Sequence, residues 1–138
     1  GSGLIAQWNL INKIRYINES VTEASGFAPA NSAWFSGHFP GEPILPGIAL
    51  ISAVYDTIRK CEQDRGEKVS MASLKRIRFT GPVRPGDTFL LNLNRENLNG
   101  RFWFNFKINV KESTVCSGLV AVFRDEEDKI GKKEEENA

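Results

Sequence analysis

The spacing of apolar residues changes once along this chain, and that change confines what it can fold into. After Pro46, Ile48, Ile51, Tyr55 and Ile58 recur at helical intervals, and Leu50 and Val54 widen the stripe. A stripe so broad predicts a helix buried on most of its surface, with exposed positions turning charged at Arg59, Lys60 and Glu62 and with Gly66 closing the segment. From Val69 the repeat is two: Leu74, Arg76, Arg78 and Thr80 alternate with Lys75, Ile77 and Phe79. Thr88 to Leu93, Arg101 to Val110 and Thr114 to Phe123 continue as strands. Between them, Arg84-Pro85-Gly86-Asp87, Asn97-Leu98-Asn99-Gly100 and Lys111-Glu112-Ser113 have turn chemistry. Successive strands with short connections form an antiparallel meander. The predicted class is α+β, a curved antiparallel sheet with one long, mostly apolar helix against it.

The flanks carry weaker signals. Leu4 to Leu10 reads as a short helix, and Asn12 to Ile17 and Val21 to Phe27 read as extended pieces around an Asn18-Glu19-Ser20 turn. Gly1-Ser2-Gly3 reads as an artificial leader and is set aside. From Arg124 the sequence is nearly all charge and cannot bury enough apolar surface to offset the cost of ordering it, although its first residues can extend a strand. The expected organisation is one domain over 4–124 with a charged tail over 125–138.

Composition removes several function classes. The chain has 138 residues, 25% of them charged and 41% apolar, the balance of a single soluble globular domain. Its 18 Lys and Arg against 17 Asp and Glu leave a net charge of +1, no electrostatic footprint for nucleic acid. No apolar run approaches the roughly 20 residues that span a bilayer, and no signal-peptide layout opens the chain. Cys61 and Cys116 lie far apart without metal-ligand spacing and read as reduced thiols of a cytoplasmic protein. With one histidine, no phosphate-binding glycine loop and no nucleotide fingerprint, neither a metal nor a cofactor is expected.

That histidine sits in Ser36-Gly37-His38-Phe39-Pro40-Gly41-Glu42-Pro43-Ile44-Leu45-Pro46-Gly47, among three prolines and three glycines, directly before the helix. The segment resembles the signature of the bacterial 3-hydroxyacyl-acyl carrier protein dehydratases, which have the hot-dog fold. Ile77-Arg78-Phe79-Thr80-Gly81-Pro82-Val83-Arg84-Pro85-Gly86-Asp87 is similar to that family's strand-turn-strand after the helix. The first motif is specific; Pro-Gly-Asp alone is a generic turn. Together they extend the resemblance over most of the chain, from Ser20 to Phe123.

Dehydrating a 3-hydroxyacyl thioester requires a base for the proton beside the carbonyl, an acid for the departing hydroxyl and a group that polarises the carbonyl. The resemblance assigns the base to His38 and the polarising N–H to Gly47, at a helix N-terminus where orphan donors and the dipole favour negative charge. Pro40, Pro43 and Pro46 would hold the two in fixed relation. Trp34, Phe35, Phe39 and Pro46 are candidates for acyl contact, with core packing the commoner duty of any one aromatic. The family's helix acid, 14 residues after the histidine, falls on Ser52, which has no readily lost proton. Asp56, one turn on, is a candidate relocated acid held partly protonated by burial; equally, it can sit in water or pair with Arg59 or Lys60.

Three functions follow as expectations. The first is a hydro-lyase acting on 3-hydroxyacyl thioesters of acyl carrier protein, or of coenzyme A, in fatty-acid or related lipid or polyene synthesis. The second is a hot-dog thioesterase in which Asp56, or a water held by His38 and Ser52, attacks the thioester. The third is a non-catalytic acyl-binding subunit. The resemblance also implies a homodimer whose sites combine His38 of one chain with residues 52 and 56 of the other. Arg76, Arg78 and Arg84 are candidates for a carrier protein's acidic surface or a phosphopantetheine phosphate, or plain solvent-facing residues.

Overall fold

The computed structural model describes residues 9–35, 43–98 and 101–125. Six strands and one long helix follow in the order β1 (Ile11–Tyr16), β2 (Val21–Phe27), α1 (Gly47–Asp64), β3 (Val69–Phe79), β4 (Thr88–Leu98), β5 (Arg101–Val110) and β6 (Ser113–Arg124), with a 3-10 turn at Ala33–Phe35. All neighbours pair antiparallel in one sheet of order β1-β2-β4-β5-β6-β3. The expected α+β class, one helix against a curved antiparallel sheet, is what the chain adopts. The expected helix over Leu4 to Leu10 and the tail lie outside the described residues, apart from Asn9, Leu10, Arg124 and Asp125.

Alternation decides which sheet face meets the helix. Phe89, Leu91 and Leu93 of β4 and Phe102, Phe104, Phe106 and Ile108 of β5 point inward, where they form one core with Leu50, Val54 and Ile58 of α1. Helix entry is set by Pro46 at φ −65° and ψ 150°, extended and without a side-chain cap. Its exit is a Schellman turn: Glu67 N–H donates to Glu62 O (2.8 Å), Gly66 N–H donates to Gln63 O (2.9 Å), and Gly66 adopts φ +85°.

Two positions on the helix depart from the expectation. Glu62, predicted exposed, is fully buried, because it falls on the line of Val54 and Ile58 and its charge is met there. Arg95 donates to it from Nε (2.7 Å) and Nη2 (3.3 Å) and lies 4.2 Å from the centre of the Phe102 ring. Ile48, placed in the apolar stripe, is 64% exposed, because it lies on the side of α1 that the sheet does not cover.

The strands also differ from the prediction in detail. β4 runs on to Leu98, and β3 is interrupted. Lys75 pairs with Leu119 and Arg78 with Ser117, so Arg76 and Ile77 together face Gly118, and Arg76 takes φ 55°. This bulge turns Ile77 into the core over Gly118. A Cβ on Gly118 would lie 2.4 Å from Ile77 Cδ1 and 2.9 Å from Phe106 Cε2. Gly118→Ala is therefore expected to destabilise the fold by about 1–3 kcal/mol, read as a lower urea midpoint at unchanged m-value. At the end of β6, Arg124 pairs with Glu67 (3.0 Å), and Asp125 is held by Lys68 O and the Ser70 hydroxyl.

Candidate active site

Of the residues that the motif assigns, Pro46, Gly47, Ser52, Asp56, Trp34 and Phe35 are described, whereas His38 and Phe39 lie outside the described residues. The approach to the helix is pinned from the far side of the motif pair, since Leu45 N–H donates to Val83 O (2.8 Å). Val83 is held in turn by the turn that follows it. Arg84 N–H donates to the Asp87 carboxylate (2.8 Å), Asp87 N–H donates to Arg84 O (3.0 Å), and Gly86 adopts φ +89°. The described end of the first motif is thus joined to the second, and the generic Pro-Gly-Asp turn has the specific task of fixing where α1 begins.

At that beginning the Gly47 donor is open among the described residues. Ala49 N–H bonds Pro46 O (2.9 Å), but among the described residues no acceptor takes the Gly47 N–H, no side chain caps the helix and no acidic residue occupies its first turn. An N-terminus in this state attracts partial negative charge from outside the chain.

Ile48, Ser52 and Asp56 follow one another at intervals of four and form a line on the side of α1 away from the sheet. Ser52 is half-buried and Asp56 is exposed. Although its surface is open to solvent, the neighbouring helix and groove walls partly desolvate the Asp56 carboxyl and push it above its ordinary range, and the Arg59 guanidinium draws it partly back. Asp56 borders a groove of about 480 Å³ shared with Lys13, Tyr16, Lys60 and Asp64. At 1.5 Å per residue, Ser52 stands about 7.5 Å and Asp56 about 13.5 Å along the axis from Gly47. The helix therefore aligns the three candidates without bringing them together within one chain.

Trp34 and Phe35, in the 3-10 turn, are half-buried and pack against the core. Burial raises both thiols, Cys116 to about 11, so neither is a thiolate nucleophile at neutral pH. Phe79, which sequence reasoning treated only as a strand residue, places its ring against Gly47. Among the described residues no helix is long and apolar enough to cross a membrane.

Residues 15–119 match the ApeI-like family, described as ApeI dehydratase. The 3-hydroxyacyl-[acyl-carrier-protein] dehydratase FabZ of Clostridium perfringens strain SM101 is 30% identical over 116 residues, which is 80% of this chain and 84% of the relative. Among solved structures, the dehydratase heterocomplex ApeI:P from Xenorhabdus doucetiae is similar at TM-score 0.65 and 24% identity, over 84% of this chain and 98% of that one. A putative thioesterase from Lactococcus lactis is similar at TM-score 0.70 and 13% identity, over 87% and 95%. The hot-dog fold is common to these likenesses.

Proposed function

Because the chain belongs to the ApeI-like dehydratase family, we propose that it eliminates water from 3-hydroxyacyl thioesters, carried on acyl carrier protein, in a homodimer. The observation that carries this reading is the Gly47 N–H, which no acceptor takes among the described residues, at a helix start without a side-chain cap that is aligned by the Leu45 and Val83 contact. A thioester oxygen accepting that N–H gains stabilisation as negative charge develops on it. His38 takes the proton from C2, the C3–O bond breaks, and the departing hydroxide collects a proton to leave as water.

The proton donor sets the need for two chains. Gly47 and Asp56 stand about 13.5 Å apart along one helix, whereas the carbonyl and C3 of a substrate are neighbours but one. Asp56 serves a thioester on Gly47 only if it comes from a second chain. The open line of Ile48, Ser52 and Asp56 supports such a meeting of helices, and the raised Asp56 carboxyl suits a donor.

Asp56→Asn is expected to lower water elimination by about 10²–10⁴-fold, because the amide keeps the shape but cannot supply the proton. The protein should still sediment as a dimer. Unchanged elimination in Asp56→Asn, with a gain in Ser52→Glu, would show that the acid is absent rather than moved. Binding of 3-hydroxyacyl thioesters with no elimination in any variant would replace the enzyme by an acyl-binding subunit. Free thiol released from saturated acyl thioesters would select the hydrolase. Ser52 also favours one further arrangement, a heterodimer whose second chain carries the helix carboxyl, in keeping with the heterocomplex among its structural likenesses. Sedimentation of the purified chain as a monomer would select it over the homodimer.

A further inference from the structure

Gly47 has no side chain, and the space for one is filled. A Cβ built there would lie 2.6 Å from Cζ, 2.8 Å from Cε1 and 3.2 Å from Cε2 of Phe79, so the tip of that ring rests on the first residue of α1. Phe79 is the last residue of β3, at the sheet's edge, and pairs with Cys116. It is 54% exposed and takes no part in the buried core. A large apolar ring held at the surface against a glycine backbone is not explained by core packing.

Direction gives the contact its meaning. In a helix every Cα–Cβ bond tilts toward the N-terminus, and the orphan N–H groups of the first turn point the same way. A ring standing in the Cβ position of Gly47 therefore stands beside its N–H. An acyl carbonyl accepting that N–H at about 2.9 Å brings its C2 against the ring. A methylene at C2 meets a flat apolar wall. A methyl branch there must displace the ring or lengthen the hydrogen bond.

We propose that Phe79 is a specificity-determining residue that selects acyl chains unbranched at C2. The inference rests on the placement of the thioester carbonyl at Gly47 in the proposed function, but not on turnover. The ring also keeps water from the polarising N–H on one side, which strengthens the hydrogen bond made there.

The test uses 3-hydroxyacyl pantetheine ketones, with CH₂ in place of the thioester sulfur, in straight and 2-methyl forms. Binding is measured by calorimetry on the wild-type, Phe79→Ala and Phe79→Leu proteins. Wild type is expected to favour the straight ligand by about 10–200-fold, the discrimination one methyl group provides in an apolar site. In Phe79→Ala that ratio should fall to within about threefold by gain of the branched ligand, with Phe79→Leu between the two. Equal binding of both ligands by wild type, binding of neither, or an equal loss for both in Phe79→Ala would overturn the proposal. So would an unchanged ratio, or a Phe79→Ala protein that has merely lost its oligomeric state while Phe79→Leu keeps the wild-type ratio. Water loss from the matching thioesters is measured separately. Selective binding without elimination defeats the dehydratase reading alone, and elimination without selectivity defeats this inference alone.

Discussion

Glu62→Ala is expected to lose about 3–5 kcal/mol of folding free energy, the cost of leaving a buried charge without its counter-ion. The carboxylate has no exposed surface and accepts two hydrogen bonds from Arg95, whose own side chain is 19% exposed. Removing Glu62 strands a guanidinium over the Phe102 ring with no anion to meet it. A domain of this size has about 5–15 kcal/mol in all. The variant should therefore unfold at much lower urea, and it should expose the end of α1 that Arg95 clamps to β4. Replacing both partners together by leucine is expected to cost far less than the two single changes combined, since an apolar pair leaves no unmet charge. A Glu62→Ala midpoint close to wild type would show that Arg95 turns out to solvent and that the pair is ornamental.

His38→Ala is expected to reduce thioester chemistry by about 10²–10⁴-fold, the contribution of a positioned general base. An imidazole with an unperturbed pKa of about 6.5 is substantially neutral at cellular pH, and no other histidine exists in the chain to replace it. The urea midpoint should hardly move, which separates this loss from that of Glu62→Ala. Full water elimination by His38→Ala would remove the proposed mechanism.

The helix was legible because its signals are local. Pro46 sets the entry, Gly66 the exit, and the apolar residues between them recur at a spacing only a helix uses. β5 was legible for the same reason, with Phe102, Phe104, Phe106 and Ile108 in strict alternation. Tertiary pairings were not. The apolar period could not say that the Ile48 line would be left uncovered, nor that the carboxylate taken inside would be Glu62 rather than stay on the surface, because Arg95 lies on a distant strand. The bulge at Arg76 carries no turn residue to announce it. At the site, the specific histidine motif pointed to Gly47, and the serine at residue 52, where the resembled family carries its acid, raised the question of which group donates the proton. The covering ring of Phe79 came from a strand that sequence treats as ordinary, and only the fold brings it to the helix start.

The sheet order has a consequence for how the chain is made. β3 follows the helix directly, yet its partner in the sheet is β6, the last of the six described strands to be synthesised. While the ribosome adds β4 and β5, β3 has no ladder to join, and its apolar inner residues can only collapse loosely on α1. Native pairing waits for Ser113–Arg124 to emerge, so the zippering of β3 is a high-contact-order step that follows the synthesis of β4 and β5, and until then the unpaired strand is open to association with other nascent chains.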